Sequence, residues 1–370
     1  MAKEYQLEIY GQPTPFSSKN RSLRMCFCEP EDGVNEQTDI VLLIAGYGGN
    51  TSSKVYQKMR RQFADQYNLI TLQCDYLGNN FMLSNQPIPM TESILRSALS
   101  PQELRSLSKD LERNREMIKG KHFIGYVNLQ ESSEEYNEMG IRQAMDQLMA
   151  LKVLADILTE NGLDFTRKHV TIYGFSHGAY LGYLCNFLAP RLFDGLIDNS
   201  AYIVPHYLFF DRKLEMEGEV FSLKKIYHYQ VADWREEPWF DLESYDLSYL
   251  YGQFDNQAEI LSFHGTEDDM ISIKDKRNFL EHIQNAQLKV ISQKEVDGEV
   301  FRSCRHGLDA DFIKLFHEAY SLLKTKLGKQ KINISYPFVN RSFHTEKYVY
   351  EVNWNHQIPL LEQKKWNVTN

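Results

Sequence analysis

Gly174-Phe175-Ser176-His177-Gly178 stands between the β-branched stretch His169-Val-Thr-Ile-Tyr173 and the helix-forming stretch Ala179-Tyr-Leu-Gly-Tyr-Leu-Cys185. In a G-x-S-x-G turn the two glycines let a strand and a helix approach closely. The turn strains the central residue and exposes its side chain at the end of a sheet. A chain organised around such a junction has strands feeding helices, so an α/β layer architecture is the frame for everything else. Taken alone, the five residues also fit a tight strand-to-helix turn that happens to hold a serine.

The same alternation runs through the chain. Residues 39–45 (DIVLLIA) form a continuous apolar run, as in a strand buried on both faces. After Gly46-Tyr-Gly-Gly49 a helix is predicted over 52–67, with Val55, Met59, Phe63 and Tyr67 on one face, and then a strand over 69–74. Helix 138–160, ended by Asn161-Gly162, leads to strand 169–173, helix 177–188 and strand 195–199. Strand 259–263, helix 273–283, strand 288–291 and a long amphipathic helix 308–327 follow. Residues 5–10 and 23–28 add two outer strands, and Cys26 and Cys28 share a face that packing explains. The expected fold is a mostly parallel central sheet flanked by helices, with two cap insertions.

The core is expected from residues 1–77, 136–201 and 258–330. In the first insertion, 78–135, Ser100-Pro101-Gln-Glu103 reads as an N-cap, a proline at the first helical position and a capping-box glutamate, starting a helix towards Ile118. The second insertion, 202–257, holds Trp234, Trp239 and many tyrosines in a chain that is 13% aromatic. Those rings would line a wall over Ser176 or simply pack the insertion. The tail, 331–370, alternates Ile332, Ile334, Tyr336 and later Tyr348, Tyr350, Val352, as in an added β-hairpin.

A serine hydroxyl becomes a nucleophile when a base takes its proton and a carboxylate orients that base. Behind strand 259–263, His264-Gly-Thr-Glu-Asp268-Asp269 puts carboxylates at the sheet's C-terminal end. Asp268 is the expected acid, with Asp269 a close competitor and Asp198, at the end of strand 195–199, a more distant one. Arg305-His306-Gly307 lies in the loop before the last helix, which favours His306 as the base over His317 inside that helix. An oxyanion needs backbone donors, and the N–H groups of Tyr47 and His177 are the expected pair. Asn199, Ser200 and Tyr202 end a neighbouring strand in the same crevice and are candidate substrate contacts. Arg302 and Arg305 would hold a carboxylate or simply sit in a solvated loop.

Several classes are set aside. A net charge of −9 argues against nucleic acid and against a basic membrane-binding surface. No apolar run approaches a spanning length and the start lacks a signal-peptide pattern, so a cytoplasmic protein is expected. The five cysteines show no metal-ligand spacing. Thr51 stands where a dinucleotide fingerprint needs glycine, and neither a phosphate loop nor an H-E-x-x-H occurs. No cofactor or metal is expected.

Through Gly46-Tyr-Gly-Gly49, the Ser176 elbow, His264-Gly-Thr-Glu-Asp-Asp269 and Arg305-His-Gly307, the chain resembles serine hydrolases of the α/β-hydrolase superfamily. The H-G-T-x-D-D phrase is similar to prolyl-oligopeptidase-like enzymes, in which the first aspartate is the triad acid; this supports Asp268. The short stretch before residue 39 leaves no place for a propeller domain, so small acyl substrates are expected. Tyr136-Asn-Glu-Met-Gly, Ser176-His-Gly-Ala-Tyr-Leu181 and Phe193-Asp-Gly-Leu-Ile-Asp-Asn-Ser-Ala-Tyr202 look like a bacterial family of α/β hydrolases linked to flagellin-glycosylation loci. That resemblance implies an acylated acidic sugar as substrate. An acyltransferase, a peptidase or a silent hydrolase-fold binding protein would use the same residues or the same fold.

Overall fold

The computed structural model describes residues 1–17, 19, 21–79, 82, 90–107, 115–129, 131–209, 212–217, 221–229, 240–327, 338–355 and 359–365. Residues 1–82, 133–206 and 241–370 form one compact unit, and residues 83–132 and 207–240 form another. Trp234, Trp239, Ile332, Ile334 and Tyr336 lie outside the described residues, as does the predicted helix beyond Leu107 up to residue 114.

Eight strands build the sheet of the first unit: β1 (Lys3–Gly11), β2 (Arg21–Glu29), β3 (Asp39–Ile44), β4 (Leu69–Cys74), β5 (Val170–Phe175), β6 (Gly195–Asn199), β7 (Glu259–Gly265) and β8 (Ala286–Ile291). Their order is β1-β2-β4-β3-β5-β6-β7-β8. β2 is antiparallel to β1 and β4, and every other pairing is parallel. The helices α1 (Lys54–Tyr67), α2 (Ile141–Glu160), α3 (His177–Leu188), α4 (Ile273–Glu281) and α5 (Phe312–Lys326) join the strands. This is the mainly parallel sheet with helices that the sequence implies.

After Asp39, β3 is apolar because both of its faces are covered: Ile40 to Ile44 are wholly buried. On one face Phe63 of α1 and Phe316 of α5 stack at 4.0 Å over Tyr173, in a core that also holds Val41, Leu43, Ile197 and Phe263. α3 is buried at all of its positions, which explains why it carries no charged residue. The α1 stripe is rotated from the expected one. Tyr56, Met59, Arg60 and Phe63 are buried, with Arg60 paired to Glu4, whereas Val55 is exposed.

Helix ends follow local chemistry. α2 begins at Ile141 instead of 138, because the Glu138 carboxylate accepts N–H bonds from Gly140, Arg142 and Gln143 and so caps the helix. It ends in a Schellman motif: Gly162, at φ +74°, donates to Thr159, and Leu163 donates to Leu158. α5 begins at Phe312 instead of 308, since Gly307, Leu308 and Asp309 are all left-handed and Asp311 supplies the cap to Ile313 and Lys314.

The tail forms three antiparallel strands, Arg341–His344, Tyr348–Asn353 and Leu360–Lys365, where a two-stranded hairpin was expected. In the second unit, strands Arg212–Glu217, Ser222–Tyr229 and His122–Leu129 form a sheet beside short helices Glu92–Arg96 and Pro101–Leu107. Ile94, Leu99, Leu107, Phe123 and Leu223 make its apolar cluster. The capping box is reciprocal, with Ser100 N–H donating to Glu103 at 2.7 Å and Glu103 N–H to Ser100 Oγ at 3.3 Å. Among the described residues no helix is long and apolar enough to cross a membrane.

Candidate active site

The strand register gathers the ends of β3, β5, β6 and β7: Ile44 lies opposite Gly174, Phe175 opposite Asn199, and Asn199 opposite Phe263. Ser176 follows β5 directly and takes φ 52° and ψ −118°, a conformation that a non-glycine residue adopts only under constraint. The constraint is the closeness of strand and helix. A Cβ on Gly174 would lie 2.4 Å from Ala179 Cα, and one on Gly178 would lie 2.1 Å from the Ile44 carbonyl oxygen. Both glycines are therefore steric requirements of the turn.

Ser176 Oγ lies 2.7 Å from His306 Nε2, and His306 Nδ1 lies 2.9 Å from Asp268 Oδ2. A carboxylate only accepts, so Nδ1 carries the imidazole proton and Nε2 offers its lone pair to the serine hydroxyl. The other Asp268 oxygen accepts N–H bonds from Met270 at 2.9 Å and Ile271 at 3.1 Å. Burial alone would raise the Asp268 carboxyl. The hydrogen bond and charge of His306, with His264 and the Ile271 N–H, instead hold it below the ordinary carboxylate range. His264, whose own pKa is lowered chiefly by burial and also by Lys276, donates from Nε2 to the Ile271 carbonyl at 2.8 Å, closing the turn that holds Asp268.

The competing carboxylates are placed elsewhere. Asp269 is exposed. Asp198 is wholly buried and pairs with Lys276 at 2.6 Å, while accepting from Tyr183, Ser262 and the Ala201 N–H. His317 sits on α5 against the Tyr67 hydroxyl at 2.8 Å.

His177 is the first residue of α3, where a backbone N–H has no intrahelical acceptor. Its side chain is held neutral by burial, down to about 3, and bonds Gln143 Oε1 at 2.6 Å, while Gln143 Nε2 donates to Leu77 at 2.7 Å. Tyr47 lies in the turn after β3, half-buried, with its ring 6.4 Å from that of His177. The turn is tight: Gly48 is at φ +82° and Gly49 donates to Gly46 at 2.9 Å.

Tyr202 stacks on the His306 imidazole at 5.7 Å and 12°. Asn199, expected to face substrate, is wholly buried and turned to the loop that bears His306, donating to the Gly307 carbonyl at 3.4 Å. Arg305 is exposed, and Arg302 pairs with Asp311 at 3.7 Å. An open hollow of about 690 Å³, lined by residues that include Ile203, Tyr251, Ile271, Phe279 and His282, adjoins the turn after Asp268 without including Ser176 or His306. Gln143 and Lys276 escaped the sequence reading because their partners are distant in the chain. His264 stands inside the quoted phrase and could have been read from it.

The family described as "Protein of unknown function (DUF2920)" matches residues 29–358. No curated protein matches the chain. Among solved structures, the chain is similar to Est1E from Butyrivibrio proteoclasticus with ferulic acid bound, at 12% identity over 86% of this chain and 98% of that one, with a TM-score of 0.45. An S-formylglutathione hydrolase from Agrobacterium tumefaciens is similar at 12% identity over 88% and 96%, with a TM-score of 0.49. Esterase 2 of Thermogutta terrifontis phosphonylated by cyclosarin is similar at 12% identity over 87% and 94%, with a TM-score of 0.48.

Proposed function

The chain belongs to the DUF2920 family, whose description names no reaction, and from the site itself we propose that it is a serine hydrolase cleaving an acyl ester. The observation that carries this reading is the continuous path from Ser176 Oγ through His306 to Asp268, at 2.7 and 2.9 Å. Ser176 attacks the acyl carbonyl as its proton passes to His306 Nε2, and Asp268 keeps the imidazole in the required tautomer and stabilises its cation. The protonated base then returns the proton to the leaving alcohol, and water repeats the sequence to release the acyl group.

The N–H groups of His177 and Tyr47 are the proposed oxyanion donors. Support comes from the free N–H expected at the start of α3 and from the closeness of Gly178 to Ile44 and Ala45, which brings the helix to the turn bearing Tyr47. The stacked Tyr202 ring would wall the site beside the base. Exposed Arg305, adjacent to His306, suits an acylated acidic sugar as substrate class.

The test is labelling by a fluorophosphonate probe, with hydrolysis of a short p-nitrophenyl ester in parallel. Wild type should be labelled and active and Ser176→Ala neither. Equal signals from the two proteins would sink the reading.

A further inference from the structure

From the geometry at the end of β6 we infer that Asn199 and Ser200 are positioning residues that set the separation of nucleophile and base; the inference rests on the hydrolase reading above. β5 and β6 end side by side, so Ser176 and Ser200 leave the sheet as neighbours. The Asn199 carbonyl accepts the Ser176 N–H at 2.7 Å, which ties the nucleophile's backbone to β6. The same dipeptide grips the residue after the base. Gly307 N–H donates to Ser200 Oγ at 3.1 Å, and Asn199 Nδ2 donates to the Gly307 carbonyl at 3.4 Å. Ser200 Oγ in turn donates to Asn199 Oδ1 at 3.1 Å, so the two side chains hold each other.

Both residues are wholly buried, so water does not replace a lost bond cheaply. Ser200 is itself left-handed, at φ +61°, with its N–H on the Phe263 carbonyl of β7 at 3.0 Å. Glycine would take that backbone conformation at less cost, but it would leave the Gly307 N–H without an acceptor. The grip matters because Gly307, Leu308 and Asp309 are left-handed in succession. Such a segment keeps its shape only where its surroundings over-determine it. A misplacement near 1 Å costs about 10²-fold in rate, so releasing Gly307 reads out as a loss of turnover.

Ser200→Gly and Ser200→Ala separate the two roles of the serine, since both delete Oγ and only glycine suits the backbone. Wild type and variants are compared by kcat and KM on the p-nitrophenyl ester, rate of fluorophosphonate labelling, thermal melting, and hydrogen exchange of the Gly307 amide. Ser200→Gly should lose at least about tenfold in kcat and in labelling rate. Its KM should stay within about threefold and its melting close to wild type, while the Gly307 amide loses protection. In a His306→Ala background, where the base is gone, Ser200→Gly should cause no further loss. Labelling of Ser200→Gly at the wild-type rate overturns the inference, as does an equal loss with and without His306. Absence of labelling in wild type itself marks the failure of the hydrolase reading, and the inference falls with it.

Discussion

A methyl group on Gly178 would meet the Ile44 carbonyl oxygen at 2.1 Å. The obstacle is backbone at the end of a central strand, not the tip of a side chain, so it has little freedom to move aside. Gly178→Ala should destabilise the fold by about 1–3 kcal/mol, read as a lower urea midpoint, together with loss of labelling at Ser176. A variant as stable as wild type would mean that α3 sits farther from β3 than described.

Ser176 holds a strained backbone that glycine would relax. Ser176→Gly should therefore be more stable than Ser176→Ala by on the order of 1 kcal/mol, although both lack the nucleophile. Thermal melting of the pair checks this, and the opposite ranking would argue against strain at the elbow.

Asp268 and Asp269 are adjacent in sequence and differ in environment, the first bonded to His306 and the second exposed. In Asp268→Asn the amide oxygen stays with the Met270 and Ile271 N–H groups, so the amide N–H₂ faces His306 Nδ1 and favours the wrong imidazole tautomer; this should cost about 10³- to 10⁴-fold in kcat. Asp269→Asn should stay within about threefold of wild type. Steady-state kinetics on one ester suffices, and a reversed order would reassign the acid.

His177 is neutral when folded, with its pKa lowered to about 3 by burial. The unfolded chain takes up that proton near pH 6.5, so the unfolded state binds more protons over the interval and stability falls as pH drops from about 6.5 towards 3. His177→Gln should lose less stability across this window in urea titrations at several pH values. Part of the slope should persist, because the His264 pKa is lowered as well. An unchanged slope would place His177 in a more polar setting.

Lys276 and Asp198 are both wholly buried, at 2.6 Å. Lys276→Met leaves a carboxylate without its cation beneath the end of β6 and should cost about 3–5 kcal/mol. Chemical denaturation measures it. A neutral outcome would show that Tyr183, Ser262 and the Ala201 N–H suffice for Asp198.

That Ser176, Asp268 and His306 would meet was legible in the sequence because each belongs to a short phrase whose chemistry is local: a steric turn, a carboxylate behind a strand, a histidine before a helix. α3 and β6 lie where the pattern put them, over 177–188 and 195–199. Strand His122–Leu129 was not legible, because its partner, Ser222–Tyr229, is remote in the chain and no local periodicity reveals it. The start of α5 was misplaced because nothing in Leu308-Asp309 announces a left-handed backbone. Asn199 looked like a pocket residue from its place at a strand end. Its bond to Gly307 depends on a loop more than a hundred positions away.

Ser176, Asp268 and His306 come from three separated stretches, and Asp268 and His306 follow β7 and β8, the last strands of the eight-stranded sheet in chain order and neighbours at one of its edges. On the proposed hydrolase reading, a chain in which β7 and β8 had not yet docked would carry the Ser176 elbow without its base or acid. On that reading, a probe that labels Ser176 would count molecules whose sheet is complete, not merely molecules whose elbow has formed.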